Sequence, residues 1–160
     1  VDFMIAEATG STEQRHWVIE ACVSTGLPVW AGFKCRLDPD GELKVGYRSE
    51  ETFESTLDPL LAIGAEVATI FHSTGEATTA ALPVMQKHWT GPIGLYPDAD
   101  RRDYVATYRD GTQATAVNPD EYVGITKDWV NNGAQIIGGC CGLTVEHIAA
   151  LSSLKDGTSD

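Results

Sequence analysis

Short, continuous apolar runs alternate along this chain with longer stretches in which apolar positions return every three or four residues. The runs at 3–6, 28–34, 65–71, 93–96 and 134–138 read as buried strands. Between them the helical period takes over. Ser11 ahead of Thr12-Glu13-Gln14 is an N-cap signature for a helix to about Thr25, closed by Gly26-Leu27-Pro28. Ser49 with Glu50, Glu51 and Thr52 begins a second helix, apolar at Phe53, Leu57, Leu60 and Leu61, which stops at Gly64. Gly75-Glu76 opens a third, through about His88. Asn118-Pro119-Asp120-Glu121 caps a fourth, with Tyr122, Ile125 and Trp129 on one face, and Thr144 caps a last one with Ile148, Ala149 and Leu151. Strand–helix alternation repeated in this way predicts an α/β fold of about five parallel βα units. Chemistry is then expected where strands end and loops begin.

Two segments do not fit the alternation. Residues 36–43 read as a surface turn around Asp38-Pro39-Asp40-Gly41, because the later oxygen ligands of a calcium loop are missing. Residues 99–116 read as a loop insertion, with the strand-like Tyr104-Val105-Ala106-Thr107-Tyr108 and a hairpin signal at Asp110-Gly111.

Composition narrows the function classes. The chain has 160 residues, 42% of them hydrophobic, enough to bury one core, and residues 1–160 read as a single domain with a frayed polar tail at 155–160. A net charge of −12 repels phosphate backbones, and the nearest basic pair, Arg101-Arg102, is flanked by Asp98, Asp100 and Asp103. No nucleic-acid partner is expected. No apolar run approaches the roughly 18 to 20 residues of a membrane span, and no signal-peptide pattern is present, so the expected location is cytoplasmic with no membrane partner. Four cysteines are too few for a disulfide framework, and a bridge between the adjacent Cys140 and Cys141 would be strained. That pair also lacks the two-residue spacer of a redox dithiol. Cys22 and Cys35 read as small core hydrophobes.

The strand ends carry Glu7, Cys35, His72, Asp98, and Cys140 with Cys141. By pattern alone these suit two readings: a tetrahedral zinc site of His72, Cys140 and Cys141 with a fourth position open, or a hydrogen-bonded structural histidine beside core thiols.

The segment Gly133-Ala134-Gln135-Ile136-Ile137-Gly138-Gly139-Cys140-Cys141-Gly142, followed by Glu146-His147-Ile148, resembles the closing strand and helix of the zinc-dependent homocysteine S-methyltransferases. Val1-Asp2-Phe3 with Glu7 and Thr9, Pro28-Val29-Trp30, and Tyr96-Pro97 extend the resemblance over the whole chain, against the later half of the family's fold. It implies a TIM barrel in which zinc holds the homocysteine thiol for attack on an activated methyl group, giving methionine. It further implies Cys140 and Cys141 as ligands, and Glu7 as the carboxylate that holds the amino-acid end of homocysteine. His147 is implied as a structural helix residue.

Three positions depart from the family's pattern. Phe71 and His72 stand where the family has Asn and its third ligand cysteine, and Asp98 stands where Asn commonly follows Tyr-Pro. Three thiolates on a divalent cation leave one net negative charge, whereas His72 with two thiolates leaves none and makes the metal more acidic.

A TIM barrel needs roughly 250 residues and eight strands, and this chain supplies about five units. The expectation is therefore a partial TIM barrel whose exposed edges are covered by self-association or by an absent N-terminal half of the same barrel. The abrupt start inside an apolar run points the same way. Two functions follow: methyl transfer to homocysteine as a fragment or half barrel, or a non-catalytic methyltransferase-like half barrel that binds a metal or thiol.

Overall fold

The computed structural model describes residues 1–7, 10–46, 48–99 and 117–154. Strands β1 (Met4–Glu7), β2 (Val29–Phe33), β5 (Val67–Phe71), β6 (Ile93–Tyr96) and β7 (Ile136–Ile137) form one parallel sheet in that order. Helices α1 (Thr12–Val23), α2 (Phe53–Leu61), α3 (Gly75–His88), α4 (Pro119–Asn131) and α5 (Val145–Ala150) follow the strands, and a 3₁₀ turn at Leu151–Leu154 ends the described chain. Sequence order and spatial order coincide, as in consecutive units of a βα barrel. Five strands do not close one, so the fold is a partial TIM barrel, as the resemblance implies.

The caps explain why the helices begin where they do. Ser11 and Gln14 form a reciprocal capping box, as do Asn118 and Glu121 ahead of α4, where Pro119 occupies the first turn. Thr52 and Thr74 cap α2 and α3 through Ser55 N and Ala77 N. The second helix thus starts at Thr52 rather than Ser49. Ser49 instead supports the preceding turn through Glu51, whose backbone N–H donates to its hydroxyl.

Successive strand residues face opposite sides of the sheet. Register aligns Ala6, Ala31, Ala68 and Ile93 in one row and Phe33, Ile70, Leu95 and Ile137 in the next. This face packs against Ile19 and Cys22 of α1, Phe53, Leu57 and Leu60 of α2, Ala81 and Met85 of α3, and Tyr122 and Trp129 of α4. The opposite face carries Ile5, Trp30 and Val67 in one row, and Glu7, Gly32, Thr69, Gly94 and Ile136 in another. No described helix covers it.

Residues 36–43 are more than a turn. Strands β3 (Cys35–Leu37) and β4 (Leu43–Val45) pair antiparallel, with Asp38-Pro39-Asp40-Gly41 as their connection and Gly41 at φ +85°. Three-residue strands are too short for alternation to reveal. The fifth strand is shorter than the apolar run at 134–138, because the chain leaves the sheet once Gly138 N has bonded Leu95 O. All but the first residue of the 99–116 insertion, and the whole tail at 155–160, lie outside the described residues. No helix among the described residues is long and apolar enough to cross a membrane.

Candidate metal centre

The C-terminal ends of four strands are laced together by hydrogen bonds of the main chain and of the Ser73 hydroxyl. Cys35 N donates to Ser73 Oγ and Asp98 N to Ser73 O, both at 2.9 Å. His72 N reaches Tyr96 O, Cys140 N donates to Pro97 O at 2.8 Å, and Ala99 N donates to Cys141 O at 2.7 Å. These bonds fix the loops after β2, β5, β6 and β7 relative to one another. His72, on the turn between β5 and α3, sits at φ +45°, a left-handed conformation costing a non-glycine residue roughly 1–2 kcal/mol. Such cost persists only where surrounding bonds hold the residue in place, and it commonly marks a functional site.

That turn brings the imidazole to the two cysteines. His72 Nδ1 lies 3.4 Å from Cys141 Sγ and 3.6 Å from Cys140 Sγ, and the sulfurs are 3.8 Å apart. Asp98 Oδ1 stands 2.8 Å from the same nitrogen. One donor atom from each of His72, Asp98, Cys140 and Cys141 lies within 4.8 Å of the others.

The spacing can be checked against tetrahedral zinc. Bonds of about 2.3 Å to sulfur and about 2.0 Å to nitrogen give edges of about 3.8 Å between sulfurs and about 3.5 Å between nitrogen and sulfur. The three measured edges of the His72, Cys140 and Cys141 triangle fit both values. The donor set, two thiols and an imidazole with a carboxylate, is also one that zinc accepts.

Burial, with Cys141 and Asp98 nearby, pushes the Cys140 thiol up to about 12. Lys34, directly after β2, is only 2% exposed. Burial lowers its ammonium to about 8, while Asp98, Cys141 and Cys140 oppose the shift in that order.

Glu7 ends β1 away from this cluster, two strands from β5, on the uncovered face. Its carboxylate acts on the Tyr96 phenol, which burial raises above its ordinary range and which also bonds the Thr69 hydroxyl at 3.2 Å. Cys140 acts on Tyr96 as well, and in sheet order its strand β6 lies between β1 and β7. Cys35 is buried, pushed by burial up to about 11, and bonded to Ser73 Oγ, consistent with a core role. Cys22 is a buried residue of α1 in the core. His147 is buried and structural: its Nε2 lies 2.6 Å from Val117 O, and Thr144 N donates to its Nδ1. His16 is exposed, and His88 bridges Glu54 and Asp58 of α2.

Sequence reasoning missed Lys34 and the arrangement of Asp98. A lysine closing a buried strand is a usable signal, because lysines are almost never fully buried unless paired. The convergence of Asp98 on His72 had no signal at the level of spacing.

Fold and cluster together define a class: part of a parallel βα barrel with a thiol, imidazole and carboxylate cluster at the C-terminal rim of its sheet. A family model, homocysteine S-methyltransferase, matches residues 1–154, and the chain belongs to that family. Among curated relatives, the S-methylmethionine-homocysteine S-methyltransferase BHMT2 of Pongo abelii is 25% identical over 95% of this chain and 44% of its own length. Homocysteine S-methyltransferase 3 of Zea mays is 33% identical over 38% of this chain and 18% of its own. The metallated form of the homocysteine methyltransferase MmuM from Escherichia coli superposes with a TM-score of 0.63 at 19% identity, over 96% of this chain and 45% of that one. Its oxidized form gives 0.60 at 22% identity. The chain spans under half the length of these relatives.

Proposed function

We propose that this chain supplies the metal-binding part of a homocysteine S-methyltransferase, with His72, Cys140 and Cys141 holding zinc and Glu7 anchoring the substrate. The reaction transfers a methyl group from an activated donor to the homocysteine thiol, giving methionine. The thiol loses its proton to water, its sulfur forms the new bond to carbon, and the donor leaves with the electrons of the bond that breaks. Zinc supplies the Lewis acidity that favours a thiolate at neutral pH. The observation that carries this reading is the donor triangle, with edges of 3.4, 3.6 and 3.8 Å.

The chain's own residues do the rest. Cys140 and Cys141 provide two anionic donors from one turn, and the left-handed backbone of His72 aims a neutral donor at them. Glu7 pairs with the ammonium of the amino acid. Tyr96, held by Thr69, is acted on both by that anchor and by Cys140. The uncovered sheet face is filled by the remainder of a barrel, either a preceding segment of the same polypeptide or a second chain.

One observation favours a second reading, a non-catalytic half barrel that keeps the metal site and associates with itself: among the described residues, the sheet has one helix-covered face only. The test measures bound zinc and methionine formation from homocysteine with S-methylmethionine, betaine or a methylated folate. We expect one zinc per chain, lost in His72→Ala and in Cys140→Ser, together with turnover that Glu7→Gln weakens. Stoichiometric zinc without turnover would favour the second reading; absence of zinc would overturn the metal centre.

A further inference from the structure

We infer that the buried Lys34 sets the charge preference of this centre, so that it holds an anionic thiolate, the form in which a thiol substrate binds, in preference to the neutral thioether that methyl transfer leaves. The inference rests on the reading of His72, Cys140 and Cys141 as metal ligands.

Lys34 continues β2 beyond Phe33, whose partner on β5 is Ile70, so it comes alongside Phe71, immediately before His72. Alternation along β2 puts it on the face opposite the helices, with Gly32. No described helix covers that face, yet Lys34 is only 2% exposed. A lysine is almost never buried to this degree without negative charge around it. Its main chain is fixed on both sides. The Lys34 carbonyl accepts from Gly46 N at 2.9 Å, and the next residue, Cys35, donates through its N–H to Ser73 Oγ at 2.9 Å. Ser73 O in turn accepts from Asp98 N. Ser73 therefore ties both the end of β2 and Asp98 to the turn that carries His72.

The negative groups acting on the Lys34 ammonium are Asp98, Cys141 and Cys140, in that order. The neighbouring cation does not share this position. Arg15 is fully buried and its Nη2 reaches the Lys34 carbonyl at 3.5 Å, but the negative groups acting on it are Cys35 and Glu51.

Counting charge shows what the ammonium changes. Two thiolates and an imidazole leave a divalent cation neutral, and Asp98 brings the cluster to one negative charge. Lys34 restores it to zero. A thiolate, its proton having passed to water, then enters a neutral centre, whereas without Lys34 it would join a charge of its own sign. A thioether carries no charge and gains nothing from the ammonium, so substrate is favoured over product.

The test loads the 160-residue chain with cobalt(II) and follows the binding of homocysteine and of methionine by visible absorption. The parent should bind homocysteine more tightly than methionine. In Lys34→Met and Lys34→Gln, with circular dichroism unchanged, homocysteine affinity should fall by about 10- to 100-fold, the effect of one unit charge in a partly buried site, while methionine affinity holds. Affinity for cobalt alone should stay level or rise, since a cation beside the metal has been removed; a merely packing role would lower it. Lys34→Arg should keep the preference. Equal losses of homocysteine and methionine, or no loss of either, would overturn this inference and leave the metal centre standing, as would a parent that binds the two ligands alike. A parent chain that binds no cobalt would overturn both.

Discussion

The two faces of the parallel sheet are built from similarly apolar sequence and differ most at the β1 edge. On one, Phe33, Ile70 and Leu95 are completely buried beneath four helices. On the other, Phe3 and Ile5 remain 40% and 43% exposed, and Phe3 stacks on Trp30 at 4.5 Å. Strands of parallel sheets are apolar on both sides because both are normally covered. The covered face therefore supplies most of this chain's own stability, while the other leaves Phe3 and Ile5 with much of their apolar surface exposed. The cluster of His72, Asp98, Cys140 and Cys141 sits at the rim of the sheet, on loops that the covered face fixes.

The largest effect expected is on the covered face. Phe33→Ala should cost about 3–5 kcal/mol in urea denaturation, whereas Phe3→Ala should cost under about 0.5 kcal/mol in the isolated chain. Equal losses would erase the distinction. Gly32→Ala probes the bare face from within: an added Cβ would stand 3.0 Å from the Phe71 ring and 3.1 Å from the Ala6 carbonyl. Overpacking of this kind should cost about 1–3 kcal/mol, and through Phe71 it should also disturb metal binding at His72.

A third variant addresses what the bare face does. Replacing Phe3 and Ile5 together by serine should reduce self-association in sedimentation velocity while leaving the far-ultraviolet spectrum intact. Unchanged association would move the contact elsewhere.

The smallest effect lies on the helical surface. His88 pairs with Glu54 and Asp58, and hydrogen bonds to Glu54 and then Asp58 raise its imidazole above 6.5. A raised pKa means that the charged form stabilises the fold. That contribution is complete below pH 6.5 and disappears as pH rises through the folded-state value. His88→Ala should thus cost up to about 1 kcal/mol at acidic pH and almost nothing in alkaline buffer, read from thermal midpoints at both.

Local rules carried much of the fold. Ser11 and Asn118 announce helix starts because capping satisfies orphan backbone donors within a few residues. The α3 and β6 boundaries are legible for similar reasons. The β3–β4 hairpin escapes, since its partners are only three residues long and tertiary contact makes them strands. His88 escapes too, because its partners lie 30 and 34 residues away on another helix.

For the site, sequence by itself determined the candidates: a cysteine pair after β7 that matches the family's motif and a histidine after β5 that departs from it, delivered to one rim by parallel topology. Only tertiary structure decided how they meet. Four loops must be bonded to one another before His72 can be held at positive φ with Asp98 and both sulfurs around a single nitrogen. Spacing along the chain encodes which residues reach the rim; distances of a few ångströms between loops depend on packing that is distributed over the whole sheet.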